Sequence, residues 1–302
     1  PAHLPLYPAL IWLADWFLPG TWAMLLVTLA GSVMAVGMFM KLMEEWGVVQ
    51  KNRLRLAMIF LLFPARWVVV RSVGSPEPWF IFFILATFYF YRKQRYFYAA
   101  LMGVLAQWTK SPAILLFVSL CLYHCYQYRK NFFSRSALRQ LMKSWPILLM
   151  PLSVLPLFFF YQWRTGDFWA YFNSGDNFHL FWPPFSIFSP RGQFWTGDFW
   201  LEDIIFIWLI YGLGALRLWR KDFKLEAIFA GVFFVSTLFV AHRDLSRYIL
   251  PIFPLVLFGW SEEVLKKEFK WLLILLLPAI FFYSWNFMFN NVSPIADWAP
   301  YL

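Results

Sequence analysis

Charge is what this sequence has least of. Asp, Glu, Lys and Arg make up only 14% of its 302 residues, where a soluble domain carries roughly a quarter. With 61% hydrophobic residues, a water-solvated globular domain is excluded, because no soluble core buries that much apolar surface. Cysteine is equally scarce. Cys121 and Cys125 lie one helical turn apart in an apolar stretch, which excludes a disulfide framework and leaves the redox compartment open. With His124 between them they could be imagined around a metal, but their setting reads as that of small buried hydrophobes. Strict polar–apolar alternation is also missing, so a membrane barrel is not indicated. No charged leader or cleavage site precedes the first apolar run. The chain opens at Pro1 without a methionine, and the expectation is that the natural N-terminus lies upstream.

What is abundant is aromatic and aliphatic. There are 37 Phe, 19 Trp and 14 Tyr, a richness suited to side chains that face lipid or sit at the headgroups. Continuous apolar runs fall at 22–41, 54–71, 79–91, 98–109, 112–126, 146–162, 202–219, 225–241, 249–261 and 271–288. They predict an all-α polytopic transmembrane bundle of about ten helices forming one domain. Residues 1–20 contain too many breakers for a span and read as an interfacial helix on the outer surface. Residues 163–201 read as a long outer loop, rich in Trp, Phe and Pro.

The formal net charge of +10 would suggest nucleic acid in a soluble protein, but the basic residues sort by linker. Those after the first, third, fifth, seventh and ninth runs hold four, three, five, four and three basic residues, 19 of the 26. The remaining seven are Arg66, Arg71, Lys110, Arg164, Arg191, Arg243 and Arg247. The positive-inside rule makes the first set cytoplasmic, and nucleic acid is not an expected partner. The cytoplasmic linkers, RKNFFSRSALRQ among them, read as solvated charge runs without chemistry.

The outer segments differ, because each sets one or two charges beside Pro or Gly at a helix end. Glu77 sits between Pro76 and Pro78, and helix capping alone would explain it. Lys110 occupies a tight turn, where a snorkelling interfacial lysine is the simpler reading. In FVAHRDLSRYILPIFP, Arg243 and Arg247 share a face if the stretch is helical, with His242 and Tyr248 alongside. Two guanidiniums at membrane level demand an anion. Asp244 could satisfy one; a phosphate would satisfy both.

Taken in order, His3-Leu4-Pro5-Leu6-Tyr7-Pro8, Ser75-Pro76-Glu77-Pro78, Trp108-Thr109-Lys110-Ser111-Pro112, Tyr161-Gln162-Trp163-Arg164-Thr165-Gly166-Asp167 and Arg247-Tyr248-Ile249-Leu250-Pro251 resemble the PIG-V-like (GPI mannosyltransferase II-like) mannosyltransferases and their bacterial relatives. That family belongs to the GT-C glycosyltransferases. Each motif is short, and Lys-Ser-Pro stands where arginine and a pair ending in glycine are usual. The resemblance implies a metal-independent, inverting enzyme without a cofactor, which takes a sugar, commonly mannose, from a polyprenyl phosphate. It would pass that sugar to a lipid or glycan acceptor on the non-cytoplasmic face. It also implies a catalytic Asp in the loop after a first transmembrane helix, and both are expected upstream of Pro1. Within this chain the candidates for holding donor and phosphate are Lys110, His242, Arg243, Arg247, Tyr248, His3 and Tyr7. Glu77 and Asp167 are accessory carboxylates that could orient the acceptor or pair with an arginine.

Two other classes compete. A lipid-linked glycan transporter or flippase predicts ionisable groups or broken helices near the bilayer midplane. A non-catalytic membrane scaffold predicts no polar cluster on one face. Short loops suit a bacterial inner membrane, with the active site on its outer face.

Overall fold

The computed structural model describes residues 4–131, 133–173, 180–189, 201–242 and 244–290. All ten apolar runs are helical. The helices are α1 (Leu6–Asp15), α2 (Thr21–Glu45), α3 (Gln50–Leu62), α4 (Ala65–Ser72), α5 (Glu77–Arg92), α6 (Tyr96–Thr109), α7 (Ile114–Gln127), α8 (Arg135–Lys143) and α9 (Leu149–Leu152). They continue with α10 (Val154–Thr165), α11 (Ala170–Asn173), α12 (Leu201–Arg220), α13 (Lys224–Thr237), α14 (Leu245–Tyr248), α15 (Phe253–Gly259), α16 (Ser261–Val264) and α17 (Lys267–Asn290). Among the described residues the only extended pairing is a single bridge, Leu180 to Val240.

Proline sets the joints. The run 54–71 is not one span: Phe63, ahead of Pro64, adopts φ −142° and ψ 146°, the extended conformation a pre-proline residue prefers. It thereby separates α3 from α4. A second joint, Val73 to Pro76, turns α4 and α5 through 110°. Among the described residues, three helices can each cross a bilayer by length and composition, α2, the stretch Trp145–Thr165 and α17, or four if α4 and α5 count as one bent span. Helix α12 also runs 20 residues but is charged at both ends, and the remaining apolar helices are shorter than the roughly 20 residues a straight crossing takes.

The core forms around α5. That helix is apolar on every side, as a helix enclosed by others must be, and Phe80, Ile81, Ile84, Leu85 and Phe88 are fully buried. It packs on α2, where the Trp79 Nε1 donates to the Val27 carbonyl at 2.8 Å, and on α6. At its far end Arg92 makes a bidentate pair with the fully buried Glu226 of α13, at 2.5 and 2.8 Å. Helix α17 lies at the opposite extreme, with only 11% of its apolar window buried. Its Leu275, Phe282, Trp285 and Phe289 face outward, where only lipid makes that exposure favourable. The chain is an integral membrane protein with an all-α bundle.

Within residues 1–20 lies one described helix, α1. It packs against α2 and α6 while Trp12, Trp16 and Phe17 stay exposed. Cys121 and Cys125 correct the expectation of buried hydrophobes: both are exposed on α7, because that face of the helix is turned away from the bundle. Among the described residues no three His, Cys, Asp or Glu side chains form a metal-binding group.

Candidate functional site

Three helix ends meet at one place. Glu77 is the first residue of α5, with Pro78 in the first turn, so the helix dipole favours its charge. Lys110 closes the C-terminus of α6 in extended conformation, and Arg247 lies on α14. Lys110 Nζ donates to Glu77 Oε1 at 2.7 Å, and Arg247 Nε donates to the same oxygen at 2.6 Å. The other oxygen, Oε2, accepts from the Ser75 hydroxyl. Glu77 is 0% exposed, whereas Lys110 and Arg247 keep 23% and 37% exposure. The carboxylate is sealed and its two cations face outward.

A second layer surrounds this centre. Asp244, ahead of α14, pairs with Arg66 Nη2 of α4 at 2.5 Å and approaches Arg247 Nη1 at 3.9 Å. The Arg66 guanidinium lies 3.9 Å from the ring centre of Phe287 on α17, a cation–π contact. Its Nε and Nη1, like Nε of Arg71, are buried without a hydrogen-bond partner among the described residues. On the other flank the Tyr7 hydroxyl and Thr28 Oγ1 are 2.6 Å apart, and that oxygen accepts from the Ser75 amide at 3.2 Å. Tyr7 of α1 is thus tied through Thr28 and Ser75 to Glu77. Burial pushes the Tyr7 phenol above its ordinary range, so it stays a protonated, hydrogen-bonding hydroxyl.

Three cations, Lys110, Arg247 and Arg66, face two carboxylates, Glu77 and Asp244, which leaves one positive charge uncompensated. Such a set can hold an anion with directed N–H donors. No group in it is an unengaged base, because Glu77 already accepts from three donors.

Of the other residues singled out by sequence, Asp167 stands apart, whereas His242 and Tyr248 adjoin the second layer. Asp167 bonds locally, accepting from the Trp169 amide at 2.8 Å and the Asn173 side chain at 2.9 Å, which caps the α10–α11 turn. His242 Nδ1 accepts from the Asp244 amide at 3.0 Å, and its ring meets Tyr248 edge-on at 5.4 Å. These contacts shape the entry to α14. Helix α14 begins only at Leu245; Arg243 and His3 lie outside the described residues. Of the long loop, 180–189 folds back on 238–240, with the Phe181 amide donating to the Phe239 carbonyl at 2.8 Å. Sequence reasoning did not single out Arg66, Ser75 or Thr28. Only the serine carried a signal, its place two residues before Glu77.

No family model matches this chain, and no curated protein matches it. Among solved structures it is similar to ArnT from Cupriavidus metallidurans in the apo state, with a TM-score of 0.64 at 15% identity. That match covers 91% of this chain and 52% of the other. It is also similar to the same protein bound to undecaprenyl phosphate, with a TM-score of 0.56 at 16% identity over 86% of this chain and 50% of that one. The chain spans about half the length of these structures, and what it shares with them is the membrane fold, a GT-C-like helical bundle.

Proposed function

We propose that this chain belongs to a glycosyltransferase that draws its sugar from a polyprenyl phosphate, with Lys110 and Arg247 as the phosphate-binding pair. The observation that carries this is the sealed Glu77 between two outward-facing cations at the meeting point of helix ends. The phosphate of such a donor leaves as the bond to the sugar breaks and the acceptor hydroxyl loses its proton to a base. Fixed cations at the departing oxygens stabilise that change without reorganising. Arg66, buried behind the pair and bonded to Asp244, adds positive potential to the same end of the bundle. Glu77 acts as counter-ion to the pair; the base is assigned to none of these residues. Likeness to a fold seen with undecaprenyl phosphate supports a polyprenyl donor, and the PIG-V-like motif order favours mannose as the sugar. The non-cytoplasmic face of a bacterial inner membrane is the setting this implies.

One observation bears on the transporter alternative, the 110° bend before Glu77. Helix α5 runs 16 residues from the bend to the basic linker at Arg92. At 1.5 Å per residue the cluster lies roughly 24 Å from that linker. That is near the far boundary of a hydrocarbon layer roughly 30 Å thick, not at its midplane. A surface-facing transfer site fits this depth better than a carrier site.

The test has two arms. Membranes holding the full-length protein are incubated with radiolabelled polyprenyl-phosphate sugars and a lipid extract. In parallel, the thermal midpoint is followed with undecaprenyl phosphate or with undecaprenol. Transfer, and stabilisation by the phosphate alone, are expected. Arg247→Ala should weaken both by roughly 10–100-fold, the worth of a charge-assisted hydrogen bond. Absence of transfer with every donor, or equal stabilisation of wild type by the alcohol, would sink the reading.

A further inference from the structure

From Lys110 a short turn and α7 lead away for 17 residues to Gln127, about 25 Å at helical rise. The stretch Trp145–Thr165 leads back, and Tyr171 then donates to Ser111 Oγ at 3.2 Å. The residues between Gln127 and Trp145 therefore lie at the end of the bundle opposite the Glu77 cluster. Read as sequence, they are a solvated charge run. They contain instead α8, a helix of two unlike faces. Arg135, Arg139 and Lys143 recur at i, i+4 and i+8 on one side. Leu138 and Leu141 are exposed on the other, Trp145 follows just past the helix end, and Met142, 74% exposed, lies at the border beside Arg135. The helix is held in place along a third line. Ala137 is buried, Gln140 donates to the Tyr96 hydroxyl at 2.5 Å, and Ser134 Oγ caps the N-terminus by accepting from the Ala137 amide at 3.2 Å.

Beside the start of α8 is a hollow of ≈ 290 Å³ lined by Gln127, Arg129, Lys130, Asn131, Ser134 and Ser136. Cations, amides and hydroxyls line it, and no carboxylate does. There is no Asp or Glu anywhere from Gln127 to Trp145, so five basic side chains gather without an internal counter-charge. An exposed apolar stripe beside a basic face, on a helix continuous with a membrane-spanning stretch, is the pattern of a helix lying in the headgroup plane.

We propose that α8 and the adjoining hollow form a docking site for anionic phospholipid, the apolar face resting on acyl chains and the basic residues holding headgroup phosphates. The site stands independently of the function proposed for the Glu77 cluster. It is tested in nanodiscs of phosphatidylcholine with and without phosphatidylglycerol, by counting the lipids that remain on the extracted protein by native mass spectrometry. Wild type should retain phosphatidylglycerol preferentially. R135Q/R139Q/K143Q should lose about ten-fold or more of that preference, in line with the attraction of each basic residue to an anionic surface. Millimolar inorganic phosphate should displace none of the lipid.

A second measurement uses only exposed positions. A nitroxide at Leu141→Cys, 52% exposed in the middle of the apolar face, with Cys121 and Cys125 changed to Ser, should collide with oxygen more readily than with a water-soluble nickel chelate. Equal retention of both lipids by wild type and triple variant, displacement by free phosphate, or a label reached by nickel would overturn the proposal. So would a label immobilised by a second copy or another protein.

Discussion

Glu77 is a carboxylate that cannot reach water, and its charge is tolerable only because Lys110, Arg247 and Ser75 surround it. Removing one member of a buried pair strands the other, at a cost of about 3–5 kcal/mol. Glu77→Gln is therefore expected to lower stability by about that amount, read as a fall in the thermal midpoint in detergent. Glu77→Gln/Lys110→Met should recover part of the loss, since one stranded cation is gone; no recovery would mean that the pair is not coupled. Glu77, Lys110 and Arg247 were legible because a charge beside proline or at a helix end is rare in so apolar a chain. Arg66 and Asp244 were not legible as a pair. They are separated by 178 positions, and only the packing of α4 against α14 joins them. Asp167 shows the converse: its motif is conspicuous, yet its bonds are those of a turn cap.

At the scale of elements, hydropathy located every apolar helix but concealed the joints inside them. The run 54–71 stays hydrophobic through Phe63 and Pro64, so the break between α3 and α4 had only the proline to announce it. α8 was missed for the opposite reason, its charges masking a nine-residue helix whose amphipathic division appears only with the 3.6-residue period. Helix packing leaves its own mark at glycine. α12 and α15 approach so closely that a Cβ at Gly259 would stand 2.5 Å from the Gly214 carbonyl oxygen. Gly259→Ala should destabilise the protein by about 1–3 kcal/mol through overpacking. By contrast Gly231→Ala on α13, where nothing lies within 4 Å of the added carbon, should be neutral or slightly stabilising. Equal midpoints for the two variants in detergent unfolding would contradict this account of the interface.

Over the whole molecule, the topology rests on charge: 19 of the 26 basic residues follow odd-numbered apolar runs, which the positive-inside rule makes cytoplasmic. A reporter enzyme that folds only outside the cytoplasm should be silent when inserted after Lys93 or Lys221 and active when inserted after Arg164. The reverse pattern would invert the assignment and put the Glu77 cluster inside. What charge could not disclose is how the bundle is braced. Helix α5 carries Glu77 at one end, gripped by Lys110 and Arg247, and Arg92 at the other, gripped by Glu226. The two clamps oppose any piston stroke, because even a one-residue advance of 1.5 Å along its axis would stretch ion pairs at both ends at once. Helix α5 is thus anchored like a tie-rod, and any rearrangement around the Glu77 cluster has to come from its neighbours, not from a slide of α5 itself.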